Sequence, residues 1–179
     1  MKAIFSFLLG FLLYAEAFSS PEIIPFGKNG KFKMLYDARQ RPQSVFIKGN
    51  LFVVYNGDAS PTKNEKGKAF PMLISYDSAK RVFSEPVRLS AKSESDHHFS
   101  PIIWADENDH LHVLFGCHRT PGTYLVSNRP VGEQAHVITW KKMPPIATKL
   151  SYPTVYRIHG DKEGIYYRTD GHTRSWTYK

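Results

Sequence analysis

The sequence predicts an all-β chain arranged as a β-propeller, about two blades and part of a third. Three observations lead there. Beyond the first seventeen residues no window carries the apolar spacing of a helix. Short alternating or apolar runs recur instead, punctuated by Gly, Asn, Asp and Pro. These runs pair into hairpins that repeat every fifty to sixty residues, two hairpins per repeat, which is the four-strand unit of a propeller blade. The 10 Tyr, 12 Phe and 3 Trp suit pleated, half-buried surfaces.

The elements follow in order. Val45-Phe46-Ile47 and Leu51 to Tyr55 flank the turn Lys48-Gly49-Asn50. Met72 to Tyr76 turns through Asp77 to Lys80 into Val82-Phe83. Ile102 to Phe115 is a third hairpin around the polar turn Asp106 to Asp109. Tyr124 to Ser127 and Val137 to Trp140 form a pair across a longer loop. Thr154 to Ile158 turns through His159-Gly160-Asp161 into Ile165 to Tyr167. Pro42, Pro101 and Pro153 head successive first hairpins, 59 and 52 residues apart. Stretches 61–68 and 92–95 are polar loops. The tails also echo one another: Ser75-Tyr76-Asp77 precedes Val82-Phe83, and Ser127-Asn128 precedes Ile138-Thr139-Trp140. That pattern is similar to the Ser-x-Asp…Thr-Trp turn of BNR, or sialidase-type, repeats. Ser175 to Lys179 reads as a strand cut mid-blade. Propellers close with four to eight blades, so a fragment of a longer chain is expected. The alternative is a complete β-sandwich.

Met1-Lys2-Ala3, an apolar stretch from Ile4 to Tyr14 and the small-x-small ending Ala15-Glu16-Ala17 describe a secretory signal peptide. The stretch falls short of the ~20 apolar residues of a membrane span, and no other segment could cross a bilayer. The expected division is therefore signal peptide 1–17, lead-in 18–42 and partial propeller 43–179. Export to the extracellular space or periplasm, with no stable membrane association after cleavage, is the expected localisation. Cys117 is the single cysteine, so no intrachain disulfide supports the fold; its apolar neighbours make it a small core residue. The net charge of +8 favours anionic partners, acidic glycan first. The Lys and Arg residues are scattered, with no basic block and no nucleic-acid motif, so no nucleic-acid partner is expected. Oligomeric state is not legible.

The candidate site begins with two histidines. His98 in Asp96-His97-His98-Phe99-Ser100-Pro101 and His118 in Phe115-Gly116-Cys117-His118 bracket the third hairpin, twenty residues apart. A hairpin returns the chain to its starting end, so the two imidazoles fall at one rim of the sheet. Ser151-Tyr152-Pro153 and Tyr166-Tyr167-Arg168 border the next hairpin in the same way, with Tyr152 and Arg168 sixteen residues apart. These positions place all four residues next to strand ends on one rim of adjacent blades.

Together the four elements resemble the BNR-repeat family that includes propeller-fold ulvan lyases, over roughly Val45 to the C-terminus. The resemblance implies a polysaccharide lyase site in which His98 and Tyr152 are catalytic, and His118 and Arg168 neutralise the substrate carboxylate. His98 rather than His97 is the match, because it stands three residues before the proline. Such lyases cleave a uronate glycan by β-elimination: a proton leaves C5 and the O4 group departs. The C5 proton is weakly acidic while the neighbouring carboxylate is charged, so a cation must stabilise the developing charge. Arg168 is permanently charged and forked to grip a carboxylate. A base must reach C5 and an acid must protonate O4. His98, with an ordinary pKa near ~6.5, and Tyr152 suit these roles, and the sequence does not decide which takes which. Phe99 and Tyr167 are expected to contact substrate, with Tyr156 and Tyr166 as further stacking surface. The family's chains are longer, with later blades that are absent from this sequence.

Each residue also has an ordinary structural reading. A His beside a strand start caps or packs, a Tyr before Pro is a core aromatic, and an Arg at a strand end is solvated or ion-paired. His97, His110, His112, His136, His159 and His172 are read as structural or surface residues. His110-x-His112 shares one strand face without a third ligand, so no metal is expected, and no cofactor. Asp106, Glu107 and Asp109 are read as turn residues. Two other functions remain open: a non-catalytic glycan-binding propeller fragment, and, ranked last, a sialidase-like glycoside hydrolase. The latter would draw on Arg39, Arg41, Arg157 and Arg168, but it lacks the usual Arg-Ile-Pro opening.

Overall fold

The computed structural model describes residues 22–24, 43–57, 69–93, 97–132, 137–158, 162–169 and 174–178. The expected signal peptide, most of the lead-in, the polar loop 61–68, residues 94–96, Arg39, Arg41, His136, His172 and the turn His159-Gly160-Asp161 lie outside the described residues.

Three antiparallel sheets follow one another along the chain. The first orders β1 (Ser44–Ile47), β2 (Asn50–Gly57), β3 (Phe70–Asp77) and β4 (Val82–Phe83), with β5 (Val87–Arg88) also paired to β3. The second orders β6 (Ile102–Ala105), β7 (Leu111–Phe115), β8 (Thr123–Ser127) and β9 (Trp140–Met143). The third orders β10 (Ser151–Arg157), β11 (Glu163–Arg168) and β12 (Arg174–Tyr178). Each is a meander of sequence neighbours, which is the blade architecture the repeat predicts. Among the described residues the single helical element is a 3-10 turn, His97–Phe99.

Stacking of the blades follows from period-two alternation. On β6, Ile103 faces the first sheet and joins Phe52, Val54 and Leu73 in one core cluster, together with Val113, Phe115 and Leu125. Its neighbours Ile102 and Trp104 face the third sheet and join Leu114, Tyr124, Leu150, Ile165 and Tyr167 in a second cluster. The second blade is thus apolar on both faces, and full burial of each such side chain stabilises by roughly 1.5–3 kcal/mol. Cys117 is buried in the second cluster, as its neighbours predicted.

The turns obey local chemistry. The Ile47↔Asn50 pair closes a two-residue loop in which Lys48 and Gly49 both have positive φ, 45° and 77°. This is the backbone of the tight hairpin turn that matches strand twist. Asp106 accepts hydrogen bonds at Oδ1 from the backbone N–H of Asn108 (3.0 Å) and His110 (2.8 Å), so it is the turn residue the sequence suggested. Polar bridges join the blades: Lys48 Nζ to Asp109 Oδ2 at 2.5 Å, Trp104 Nε1 to Glu163 Oε2 at 2.8 Å, and Arg157 Nη2 to the Ala105 carbonyl at 3.2 Å.

One strand differs from expectation. The partner of β8 is Trp140–Met143, not Val137 to Trp140, with Ser127↔Trp140 and Tyr124↔Met143 in register. The apolar Val137 is 85% exposed. Asn128 fixes the register by donating its backbone N–H to the Thr139 carbonyl and its side-chain amide to Thr139 Oγ1, both at 2.9 Å. The strand that results carries exposed Lys141 and Lys142. Charge of this kind blunts the sheet edge against further pairing.

Candidate functional site

The rim where β6 begins and β7 ends gathers the histidines. The Gly116 N–H donates to the Phe99 carbonyl at 3.3 Å, extending the hairpin ladder past both strands. Gly116 has φ 72° and turns the chain so that His118 comes back over the 3-10 turn. The His98 and His118 rings meet edge to face with centroids 4.5 Å apart. The Tyr152 ring, from the third blade, lies 5.7 Å from His98 and 5.8 Å from His118. The Arg168 guanidinium carbon sits 4.4 Å from the Tyr152 ring centroid, and Phe99 stands 5.9 Å from His118, edge-on. His98, His118, Tyr152, Arg168 and Phe99 are therefore brought together.

The placement of two of them differs in detail. Tyr152 lies inside β10, not before it, and Arg168 is the last residue of β11, not after it. Ser151 pairs with Arg168 and Thr154 with Tyr166, so Tyr152 and Pro153 form an irregularity in the ladder. Pro153 has no N–H to donate and breaks the pairing there. Tyr152 has φ 52°, left-handed for a bulky residue, a conformation that costs about 1–3 kcal/mol and that clusters at functional sites.

Two expected contacts fail. Tyr167 is 8% exposed and packs in the second core cluster rather than on the surface. Alternation along β11 sends it to the face opposite Tyr166 and Arg168, so it is not a substrate-stacking ring. Tyr156 is 43% exposed but pairs with Gly164, at the far end of the hairpin from Tyr152. Tyr166, opposite Thr154, stays near the irregularity. A cleft of about 330 Å³ adjoins Phe99 and Gly116, lined also by Lys92, Thr120 and Thr123. It had no signature in the sequence, because its walls come from three separate segments.

The opposite end of the second blade is an anchor. His112 contacts Tyr124 Oη at 2.6 Å through Nδ1 and Asp106 Oδ2 at 3.1 Å through Nε2, and Trp104 stacks on its ring at 5.0 Å. Burial opposes ionisation of Asp106. The hydrogen bond from His112, the His110 backbone N–H and the charges of both imidazoles outweigh that, and the carboxyl titrates below its ordinary value. Burial, with the nearby carboxylates of Glu163 and Asp106, pushes the Tyr124 hydroxyl well above the phenol range. Among the described residues no group of three or more His, Cys, Asp or Glu could hold a metal ion.

Comparison with known proteins adds to this geometry. The family described as BNR repeat-containing family member matches residues 67–178. Two solved structures of an ulvan lyase, described as a new family of polysaccharide lyase, share the fold with TM-scores of 0.60 at 18% identity; one of them is bound to -[GlcA(1-4)Rha3S]-. The match covers 78% of this chain and 34% of theirs. The polysaccharide lyase Uly1 matches with a TM-score of 0.56 at 12% identity, over 79% of this chain and 38% of that one. The chain thus spans about a third of the length of the solved structures it matches. No curated protein matches the sequence at a significant level.

Proposed function

Because the chain belongs to the BNR repeat-containing family, we propose that the His98–His118–Tyr152–Arg168 cluster is the site of an exported polysaccharide lyase that cleaves an acidic, uronate-containing glycan by β-elimination. The observation that carries this reading is the meeting of two imidazoles, a phenol and a guanidinium from two consecutive blades within a few ångströms. The glucuronate-containing ligand of the similar ulvan lyase supports the substrate class.

In this reading the uronate carboxylate is held by the forked guanidinium of Arg168 and by a hydrogen bond from His118. With its negative charge compensated, the C5 proton becomes removable. One of His98 and Tyr152 takes that proton, the C4–C5 double bond forms, the C4–O4 bond breaks, and the other delivers a proton to O4. Their rings stand 5.7 Å apart and edge to face. Phe99 offers a ring face to the sugar chain. Export follows from the N-terminal pattern, with cleavage after Ala17, and N-terminal sequencing of the secreted product checks it: an intact Met1 would contradict it.

The test of activity is incubation with ulvan, followed by the ultraviolet absorbance of unsaturated uronate. A second reading is a glycan-binding propeller without catalysis, and the observation that favours it is the ring-lined rim of His98, Phe99, His118 and Tyr152, which suits sugar contact whether or not a proton is moved. Glycan binding that survives His98→Ala and Tyr152→Phe, with no unsaturated product from the unmodified chain, would select it.

A further inference from the structure

We infer that Ser151 is a positioning residue of this site, whose hydroxyl and backbone together tie the arms carrying His118, Tyr152 and Arg168 to one another. The inference rests on the proposed function for its consequence in catalysis, and on geometry alone for its structural content.

Ser151 is fully buried, at 0% exposure. It touches each arm in a different way. It immediately precedes Tyr152, and its backbone stands opposite Arg168 in the β10–β11 register, the last regular pair before the irregularity. Its Oγ accepts the backbone N–H of Arg119 at 2.8 Å, fixing the residue that follows His118. A second strap runs alongside, from the Leu150 N–H to the Thr120 carbonyl at 2.9 Å. The loop after β7 is thereby stitched to the start of β10, although the two belong to different blades.

The stitching matters because Arg119, which it holds, and Tyr152, which follows Ser151, both sit in uphill backbone conformations. Arg119 has φ 57° and Tyr152 has φ 52°. Neither is glycine, and left-handed conformations of this kind persist only where the surroundings over-determine them. The Pro153 ring further restricts the residue before it. Without the Ser151 acceptor, the part-buried Arg119 N–H loses this partner, and the loop can relax toward ordinary φ. His118 would then move away from Tyr152, which now lies 5.8 Å away. A displacement of about 1 Å at a reacting constellation can cost a hundredfold in rate. Ser151 has no exposed surface: alanine loses the acceptor with little change in volume, whereas threonine keeps the acceptor and adds one methyl group.

The experiment uses the full chain, with Ser151→Ala and Ser151→Thr compared with the unmodified protein. Proton NMR reads the ring-current shifts and ring-to-ring contacts of His98, His118 and Tyr152; Trp104 and His112 signals report the anchor at the far end of the blade. Ser151→Ala is expected to lose the His118–Tyr152 contact while the Trp104 and His112 signals stay, and Ser151→Thr to restore the contact. In the lyase assay, Ser151→Ala lowers kcat about tenfold or more with KM nearly unchanged, as expected of lost orientation. Unaltered His118–Tyr152 contacts in Ser151→Ala would overturn the inference. So would loss of the Trp104 and His112 signals, because Ser151 would then hold the fold rather than the site. If the unmodified chain forms no unsaturated product, the proposed function fails, while the positioning role is still decided by the ring contacts.

Discussion

The Arg168 guanidinium lies over the face of Tyr152, 4.4 Å from its centroid, on a hairpin whose two arms are joined at Ser151↔Arg168. The cation is held by the ring face and by the strand end.

A charged group at this position is therefore not enough. Arg168→Ala is expected to reduce lyase turnover by about 10²–10³-fold, the usual cost of removing a group that stabilises developing charge. Arg168→Lys restores the charge but neither the fork nor the stacking, and recovers only part of that loss. Initial rates on ulvan measure both. An Arg168→Ala variant as fast as the parent would remove Arg168 from the mechanism.

Blade-to-blade attachment depends on Trp104, whose indole N–H reaches Glu163 in the third sheet at 2.8 Å. Trp104→Phe keeps much of the apolar contact and leaves a partly buried carboxylate without that donor. The expected loss is about 1–3 kcal/mol of unfolding free energy, read by urea denaturation. No change in midpoint would show that the second and third blades hold by apolar packing alone.

The Asp106–His112–Tyr124 anchor sets a pH window. Asp106 has a folded pKa below its unfolded value near ~3.9, so its stabilisation is present above that pH and fades as pH falls through the folded value. Tyr124 has a folded pKa raised above its unfolded value near ~10, so its contribution is intact below ~pH 10 and fades as pH rises beyond. Melting temperature across pH should fall at both ends. Asp106→Asn should flatten the acid limb, and Tyr124→Phe the alkaline one. Limbs unmoved by these changes would contradict the assignment.

The shifted β9 register makes a direct contrast. Val137→Ser, at an exposed position outside the strand, should change stability by no more than about 0.5 kcal/mol. Ile103→Ala, at a fully buried position between two blades, should cost about 2–5 kcal/mol. Chemical denaturation measures both. Equal effects would restore Val137 to the strand.

Much of this was legible in the sequence, for identifiable reasons. Alternating runs and their turns are local signals, so the hairpins 45–55, 102–115 and 154–167 could be found with ends within three residues. A hairpin returns the chain to its start, so the proximity of His98 and His118 followed from topology alone. The misses are non-local. Tyr167 reads as a surface aromatic beside Arg168 until the third sheet packs on Leu114 and Ile102 and buries its face. Val137 attracts a strand assignment by its apolarity, while Asn128, nine residues earlier, decides the register. Ser151 stands in the Ser151-Tyr152-Pro153 element, but nothing local gives its side chain a role. Its role appears only when the loop after His118 folds onto it from another blade.

The measurement closest to the central claim is the release of unsaturated uronate from ulvan by the full chain, followed by ultraviolet absorbance, with His98→Ala alongside. The account predicts a steady rise for the unmodified protein and a rate about 10²–10⁴-fold lower for His98→Ala. An unmodified protein that yields no unsaturated product, or a His98→Ala variant that yields it equally fast, would contradict the account.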